Sequence, residues 1–534
     1  MVTSRALRAG CLLAWGLLCT DQVRSDEAAS VEDDLRRIVA VIDGHLESQW
    51  RADSVTPSEP ADDAEFLRRA TLDLNGWIPN VMEARQFLAD DSPDKRRQLV
   101  DRLLDDPRYA VNFTNYWRRI LIPEAESDLM ARYQVPVFEG WLRSRLLANR
   151  SYRDMVREIL EVNVSANSMY EYNNVSPVAY YATKEIKPEN LAAATSRMFL
   201  GVRLECAQCH DHPFDHWTRR DFWGYSAFFA GLQRSNAGPQ GLLAQLRELL
   251  GQRNVQIPDT NEFVEPTFLG GKPLGRDTLL SPRQTLANWI VSDENPYFAR
   301  MAVNRMWGHF FGVGFVDPID DFNDQHPPSH PELLDALAQE LAHQNYDLKF
   351  LMRAITRSRA YNLSSRQTDP SQADSRQFAR MAVKGLSSNQ VYDSFVQATG
   401  CFEPFALVNP YVFGRQDTPR QRLAELFADQ GTTPMDRPTT ILQSLAVMNG
   451  DFVSRETQLD DSRLLRSVAE FPGFTTADRV DAIFLSALTR APTPVEREKF
   501  VAYIDAGGAN GDSRQALADV FWVLLNGSEF LYNH

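Results

Sequence analysis

Cysteine is scarce in this 534-residue sequence, which has only five. Cys11 and Cys19 fall in an N-terminal segment that reads as a leader, so Cys206, Cys209 and Cys401 are left. Three thiols cannot staple a chain of this length, and two of them share one short motif, which points to local chemistry instead of a disulfide scaffold. Cys401 reads as a buried apolar filler. Long apolar runs are also missing. The run from Cys11 to Cys19 is too short to span a bilayer, and no later stretch reaches the ~18 uninterrupted apolar residues of a membrane span, so no transmembrane segment is expected. Positive charge is in deficit, with 56 Lys and Arg against 71 Asp and Glu, a net charge of −15. Such an acidic surface repels phosphate backbones and disfavours nucleic acid as a partner. A lipase-type GxSxG, a Walker-type phosphate loop and a dinucleotide GxGxxG in a credible context are all lacking, which removes most standard enzyme signatures.

Arg5 and Arg8 precede the apolar run, and Val23 and Ser25 offer a small-residue cleavage site before Asp26. This order of charge, apolar core and small residues is that of a secretory signal over 1–25, and it implies an exported, periplasmic or extracellular protein. The segment carries three arginines and one aspartate, so its removal takes the net charge from −15 to −17.

The rest of the chain reads as mainly α, two helical domains joined by an irregular linker with little or no β-sheet. The expected organisation is a helical domain over 26–232, a Gly/Pro-rich linker over 233–280 and a second helical domain over 281–534. Leu99, Val100, Leu103 and Leu104 recur at helical spacing, and Ser92-Pro93 reads as the start of their helix. Trp141, Leu142, Leu146, Met155, Val156, Ile159 and Leu160 supply further core positions. A helix from Lys187 to Glu205, opened by Pro188, presents Leu191, Ala194, Met198, Phe199 and Val202 and runs into the cysteine motif. The aromatic run Phe222, Trp223, Tyr225, Phe228 and Phe229 reads as helix core. In the linker, Leu242 to Leu250 looks helical, while Val255 to Ile257 and Phe263 to Phe268 have the pattern of a short ribbon. Capping boxes are expected at Ser329 to Glu332 and Thr493 to Glu496.

Cys206-Ala207-Gln208-Cys209-His210 has the spacing of a covalent haem attachment site, in which two thiols add to the vinyl groups and the histidine lies beneath the iron. The same spacing serves a local disulfide or dithiol, a zinc site or a structural turn. A sixth iron ligand is not obvious. His212 is too close to His210, Met198 has little slack, and Met301, Met306 and His309 would have to come from the second domain. In the metal reading, zinc or another divalent ion is held by His210, His212 and Asp215 with the cysteines; in the structural one, to which His216 is assigned, Asp211 orients a histidine and His212-Pro213 makes a turn. A second polar constellation, Asp317, Asp320, Asp321, Asp324, His326 and His330, suits a divalent cation or acid/base work, with Asp320, Asp321, His326 and His330 as the alternative metal set. So many ionisable groups are expected to border a cleft between the domains.

Several long stretches carry a family resemblance. ADDAEFLRRATLDLNGWIP, SPDKRRQLVDRLLDDPRYA and FLGVRLECAQCHDHPFDHWTRRDFWGYSAFF resemble the planctomycete-specific cytochrome-type domain of the second kind. NPYFARMAVNRMWGHFFGVGFVDPIDDFNDQHPPSHPELLDALA, YDLKFLMRAITRSRAYNLSS, LQSLAVMNGDF and VLLNGSEFLYNH resemble the planctomycete-specific domain of unknown function that follows it. The cytochrome name rests on CxxCH itself. Gly385 stands where a basic residue is expected from the resemblance.

The leading expectation is an exported protein carrying haem c on Cys206, Cys209 and His210, handling electrons or a small ligand for a partner oxidoreductase. Its rivals are a metal-dependent enzyme, such as a polysaccharide-acting hydrolase, and a binding module that uses the cysteines structurally. The leader makes one prediction on its own. Intact-mass analysis of the exported protein should give a chain starting near Asp26, and a mass that includes Met1 would refute it.

Overall fold

The helix Asp63–Asn75 is buried along its whole inner length, from Phe66 to Asn75, although Arg68, Arg69, Asp73 and Asn75 are among those residues. A helix so enclosed needs partners for its polar groups, and Arg68, Arg69 and Asp73 find them on distant segments, whereas the Asn75 side-chain amide is buried without one. Asp62 caps its start by accepting from the Glu65 amide, and Gly76, at φ 77°, ends it in the left-handed conformation. Arg68 donates to the carbonyls of Ala487 and Phe530 at 3.1 and 2.9 Å. Arg69 donates to those of Tyr361 and Leu363 at 2.7 and 2.9 Å. Burial lowers the Arg68 guanidinium to about 10, against the pull of Glu529, and still leaves it charged at neutral pH.

The computed structural model describes residues 30–126, 132, 134–164, 175–235, 245–249, 251–275, 280–401, 420 and 450–534. The expected leader lies outside them. The fold is mainly α, with three two-stranded antiparallel ribbons among the described residues. No helix of the described residues is long and apolar enough to cross a membrane.

The helical faces read from periodicity are the buried ones. Leu99, Val100, Leu103 and Leu104 line the inner side of Lys95–Asp105. Trp141, Leu142, Leu146, Met155, Val156, Ile159, Leu160 and the aromatic run from Phe222 to Phe229 are all buried. The Thr493 to Glu496 box is present, with the Thr493 side chain accepting from the Glu496 amide and Glu496 from that of Thr493. The Ser329 to Glu332 box is not. Pro331 takes the first helical position, where a missing amide costs nothing, so His330 becomes the cap residue and makes no side-chain cap bond. The helix expected from Ser92-Pro93 begins two residues later, at Lys95.

The linker is a packed part of the molecule. Its second ribbon is β3 (Val255–Gln256) with β4 (Phe263–Val264), as the alternation suggested. Its first pairs β1 (Leu232–Ser235) with β2 (Gln245–Glu248), so the described part of the expected Leu242 to Leu250 helix is a strand. A partner strand and the Arg283–Glu248 ion pair, 2.5 Å, outweigh local helix propensity there. Ile257, Val264, Leu269 and Leu274 are buried, and the Phe268 ring lies 4.8 Å from Phe228 and 5.2 Å from Trp289.

The core does not divide at the linker. One cluster of buried residues runs from Leu35 to Met381 and takes in Leu485, so the expected domains over 26–232 and 281–534 share it. A second cluster gathers residues from Leu386 to Leu531 and is joined by Leu72 and Ile78. The helix Asp63–Asn75 therefore faces both. At its inner end Asp73 accepts from Lys384 and Asn533, each at 2.7 Å, and from the Tyr361 hydroxyl at 2.9 Å. Breaking a buried pair by removing one partner costs about 3–5 kcal/mol. Asp73→Ala should lower unfolding stability by about that amount in urea titration. Asp73→Leu combined with Lys384→Met should cost less than the sum of the single changes.

Candidate functional site

The chain approaches the cysteine motif through a broken helix. Pro188–Thr195 is α-helical, Ser196–Leu200 widens into a π turn, and Gly201, at φ 70°, stops it. The helix expected to run on to Glu205 therefore ends at this glycine. A short 3-10 turn, Leu204–Gln208, follows and leads into Cys209 and His210. Leu204 and Ala207 are fully buried and fix the turn, while Cys206, Cys209 and His210 all point to solvent with both thiols free. Nδ1 of His210 lies 2.7 Å from the Asp211 carbonyl. A carbonyl only accepts, so Nδ1 carries the proton and Nε2 keeps its lone pair for a ligand.

Gly201 is a docking point. A Cβ there would stand 2.5 Å from the Phe322 ring and 2.9 Å from the Met301 sulfur. Its carbonyl accepts from the Phe322 amide at 2.8 Å, so the aspartate-rich loop of the second half lies against the approach to the cysteines. Arg203 pairs with Asp320 at 2.7 Å and reaches Asp321 at 3.9 Å, while Arg197 lies 3.7 Å from Asp320. Burial opposes ionisation of Asp320, but Arg305, Arg203 and Arg197 together outweigh it and hold the carboxyl below its usual range. Burial, with Glu205 and Asp321 nearby, pushes the Cys206 thiol up.

The remaining expected site residues are distributed differently. His326 stays with Asp321, 3.2 Å away, and Asn323 donates to Asp321 at 2.9 Å. His330 does not join them. It is buried against the rings of Phe315 and Phe378, with Nδ1 at the Ser329 hydroxyl. Burial, helped by Arg376, lowers it to about 4, so it is neutral at pH 7. Asp324 is exposed, and Asp317 is half-buried. His212 accepts from the Phe214 amide through Nδ1 at 3.2 Å. Asp215 is taken up by His216, which meets it through its backbone amide at 2.7 Å and its ring at 2.6 Å.

Neither expected metal set brings three ligand atoms together. Among the described residues the group that does so within 4.8 Å is Asp34, Glu340 and His343, far along the chain from both sets. There the carboxylates already hold Arg37, at 2.7 and 3.0 Å. The proposed sixth ligands are enclosed as well. Met198, Met301 and Met306 are buried, and Nε2 of His309 lies 2.9 Å from the Asp73 carbonyl. Sequence reasoning missed Arg197, Gly201, Arg203 and Phe322. The glycine after a helical run was the one signal that could have marked this junction.

Fold and site together define a mainly helical protein that presents two thiols and an imidazole on one exposed turn. Residues 41–234 match the family model PSCyt2, a protein of unknown function (DUF1549), and residues 282–424 match PSD1, a protein of unknown function (DUF1553). The chain belongs to the proteins that carry these two domains in this order. No curated protein and no solved structure matches it.

The Gly201 junction yields a prediction. Gly201→Ala combines a left-handed backbone with overpacking against Phe322 and Met301, and should cost about 1–3 kcal/mol. Amide exchange at Phe322 should speed up in the variant. Unchanged melting and unchanged exchange would show that the two segments are not coupled.

Proposed function

We propose that Cys206, Cys209 and His210 hold a covalently attached haem, and that the chain handles electrons or a small ligand for a partner oxidoreductase. The observation that carries this reading is the turn itself. Both thiols and the imidazole leave it on the solvent side, and Nδ1 of His210 is engaged so that Nε2 is free. Haem, when bound, supplies one-electron chemistry or an iron site for a small ligand. The residues of the chain bind and orient. Leu204 and Ala207 anchor the turn in the core, and the Asp211 carbonyl fixes the imidazole tautomer. Export through the segment over 1–25 belongs to the same proposal, because it carries the thiols to an oxidising compartment. Met198, Met301 and Met306 are buried and Nε2 of His309 lies at the Asp73 carbonyl, so among these candidates His210 is the residue that would hold the iron.

The test is expression with a cytochrome c maturation system. The protein should be coloured, keep its haem through denaturation, and lose covalent attachment in Cys206→Ala/Cys209→Ala. His210→Ala should keep covalent haem but change its visible spectrum. Colourless protein from that system, whether it contains zinc or a Cys206–Cys209 disulfide, would refute the reading.

A further inference from the structure

Cys209 and His210 are exposed, so packing over them does not hold their conformation. The residues on either side of them are tied to one helix, Arg219–Ser226. Before the pair, the Gln208 carbonyl accepts from the Trp223 indole at 3.0 Å and from Nε of Arg219 at 3.4 Å. After it, the Asp211 carboxylate accepts from the Arg219 amide at 2.8 Å, while the Asp211 carbonyl lies 2.7 Å from Nδ1 of His210.

The helix is itself well fixed. Thr218 and Asp221 close a capping box at its start, Phe222 and Tyr225 are fully buried, and Trp223 is 4 % exposed. The linker grips it from behind. The Thr267 amide donates to the Gly224 carbonyl at 2.9 Å, and a Cβ at Gly224 would stand 3.1 Å from that of Thr267. Nη2 of Arg219 donates to the Pro258 carbonyl at 2.7 Å. The Arg219 amide belongs to the first turn of the helix, where amides have no intrahelical acceptor, and the Asp211 carboxylate meets it at the positive end of the helix dipole.

We infer that the helix Arg219–Ser226 is the positioning element of the cysteine site, with Trp223 and Asp211 as its two positioning residues. Trp223 fixes the backbone that enters Cys209, and Asp211 fixes the backbone that leaves His210, so the second thiol and the imidazole stand on a segment held at both ends. A free imidazole exchanges between its tautomers, whereas a carbonyl fixed at Nδ1 keeps the proton there and leaves Nε2 as the ligand atom. The inference rests on the proposed use of Nε2 by a bound group, but the clamp belongs to the chain without haem. With haem bound, the hydrogen bond behind an axial histidine is one of the levers on its potential.

The first test uses the haem-free full chain. Long-range 1H–15N correlation at neutral pH should show His210 as the Nδ1–H tautomer in the parent and as a mixture in Asp211→Ala. Asp211→Asn, which keeps an acceptor oxygen, should stay close to the parent. The second uses the haem-loaded protein. Asp211→Ala and Trp223→Phe, which removes the indole donor and keeps a ring, should retain covalent haem and shift its visible spectrum and reduction potential, and Asp211→Asn should shift them less. Both bonds to Asp211 are at the surface, so its variants should melt close to the parent. A parent that shows the Nε2–H form or an even mixture would overturn the inference, as would a tautomer unchanged in Asp211→Ala or an Asp211→Asn variant as perturbed as Asp211→Ala. A parent that takes up no haem would refute the haem reading, and the haem-free spectra would then decide the positioning alone.

Discussion

Asp73 is 2 % exposed, and the donors that satisfy it come from distant parts of the chain: Tyr361, Lys384 and Asn533. The ribbon of β5 (Lys384–Gly385) and β6 (Tyr532–Asn533) is only two residues long, and its register sets Lys384 directly opposite Asn533. Both side chains then reach the same oxygen of Asp73. The ribbon is therefore a device for presenting two donors to one buried carboxylate. A carboxylate in this position is tolerable only when fully bonded, because an unpaired buried charge costs several kcal/mol. The ribbon also explains the neighbourhood of Gly385, where the family resemblance called for a basic residue. The cation is one position earlier, at Lys384, and it is buried.

That constraint extends to the functional site through one helix. Lys384 also donates to the carbonyls of His309 and Phe310, at 3.1 and 2.7 Å, at the C-terminal end of Phe298–Phe311, where the helix has carbonyls without intrahelical partners. The opposite part of the same helix carries Met301 beneath Gly201 and Arg305 within the field of Asp320. The buried lysine thus fixes one end of an element whose other end supports the cysteine turn and its aspartate loop. The two family-matched segments share one apolar core, and the buried Lys384–Asp73 pair bridges them as well.

Much of this was legible in the sequence wherever a local rule governs. Helix faces such as Leu99 to Leu104 follow from apolar spacing, the Thr493 cap from a hydroxyl and a carboxylate three residues apart, and the β3–β4 ribbon from alternation. What was not legible depends on partners far along the chain. Gln245–Glu248 is a strand because Leu232–Ser235 pairs with it, and Arg68 and Arg69 are internal because carbonyls from residues 361 to 530 receive them. Sequence proximity also misled. His330 lies close to Asp320 and Asp321 along the chain, but Pro331 starts a helix that turns it into the Phe315–Phe378 pocket. The docking of Asp320 to Phe322 on Gly201 and Arg203 had no pattern to announce it beyond a glycine after a helix.

The electrostatics around Cys206 bear on what a pair of thiols at this spacing can do. A thiol that exchanges disulfides or binds zinc acts as a thiolate, and proteins that use one so lower its pKa with a helix N-terminus or a nearby cation. Here the order is reversed. Cys206 sits inside a short 3-10 turn, preceded by Glu205 and faced by Asp321, and burial together with these carboxylates raises its pKa. Arg203, the one nearby cation that would favour the thiolate, is already engaged by Asp320 at 2.7 Å. Covalent attachment of a group that is afterwards held by thioether bonds makes no such demand on the resting thiol, because neither sulfur remains ionisable once bonded. Of the two carboxylates that act on Cys206, Asp321 is held by Asn323 at 2.9 Å and His326 at 3.2 Å, and Glu205 lies 3.6 Å from Arg197, so both have partners within the fold.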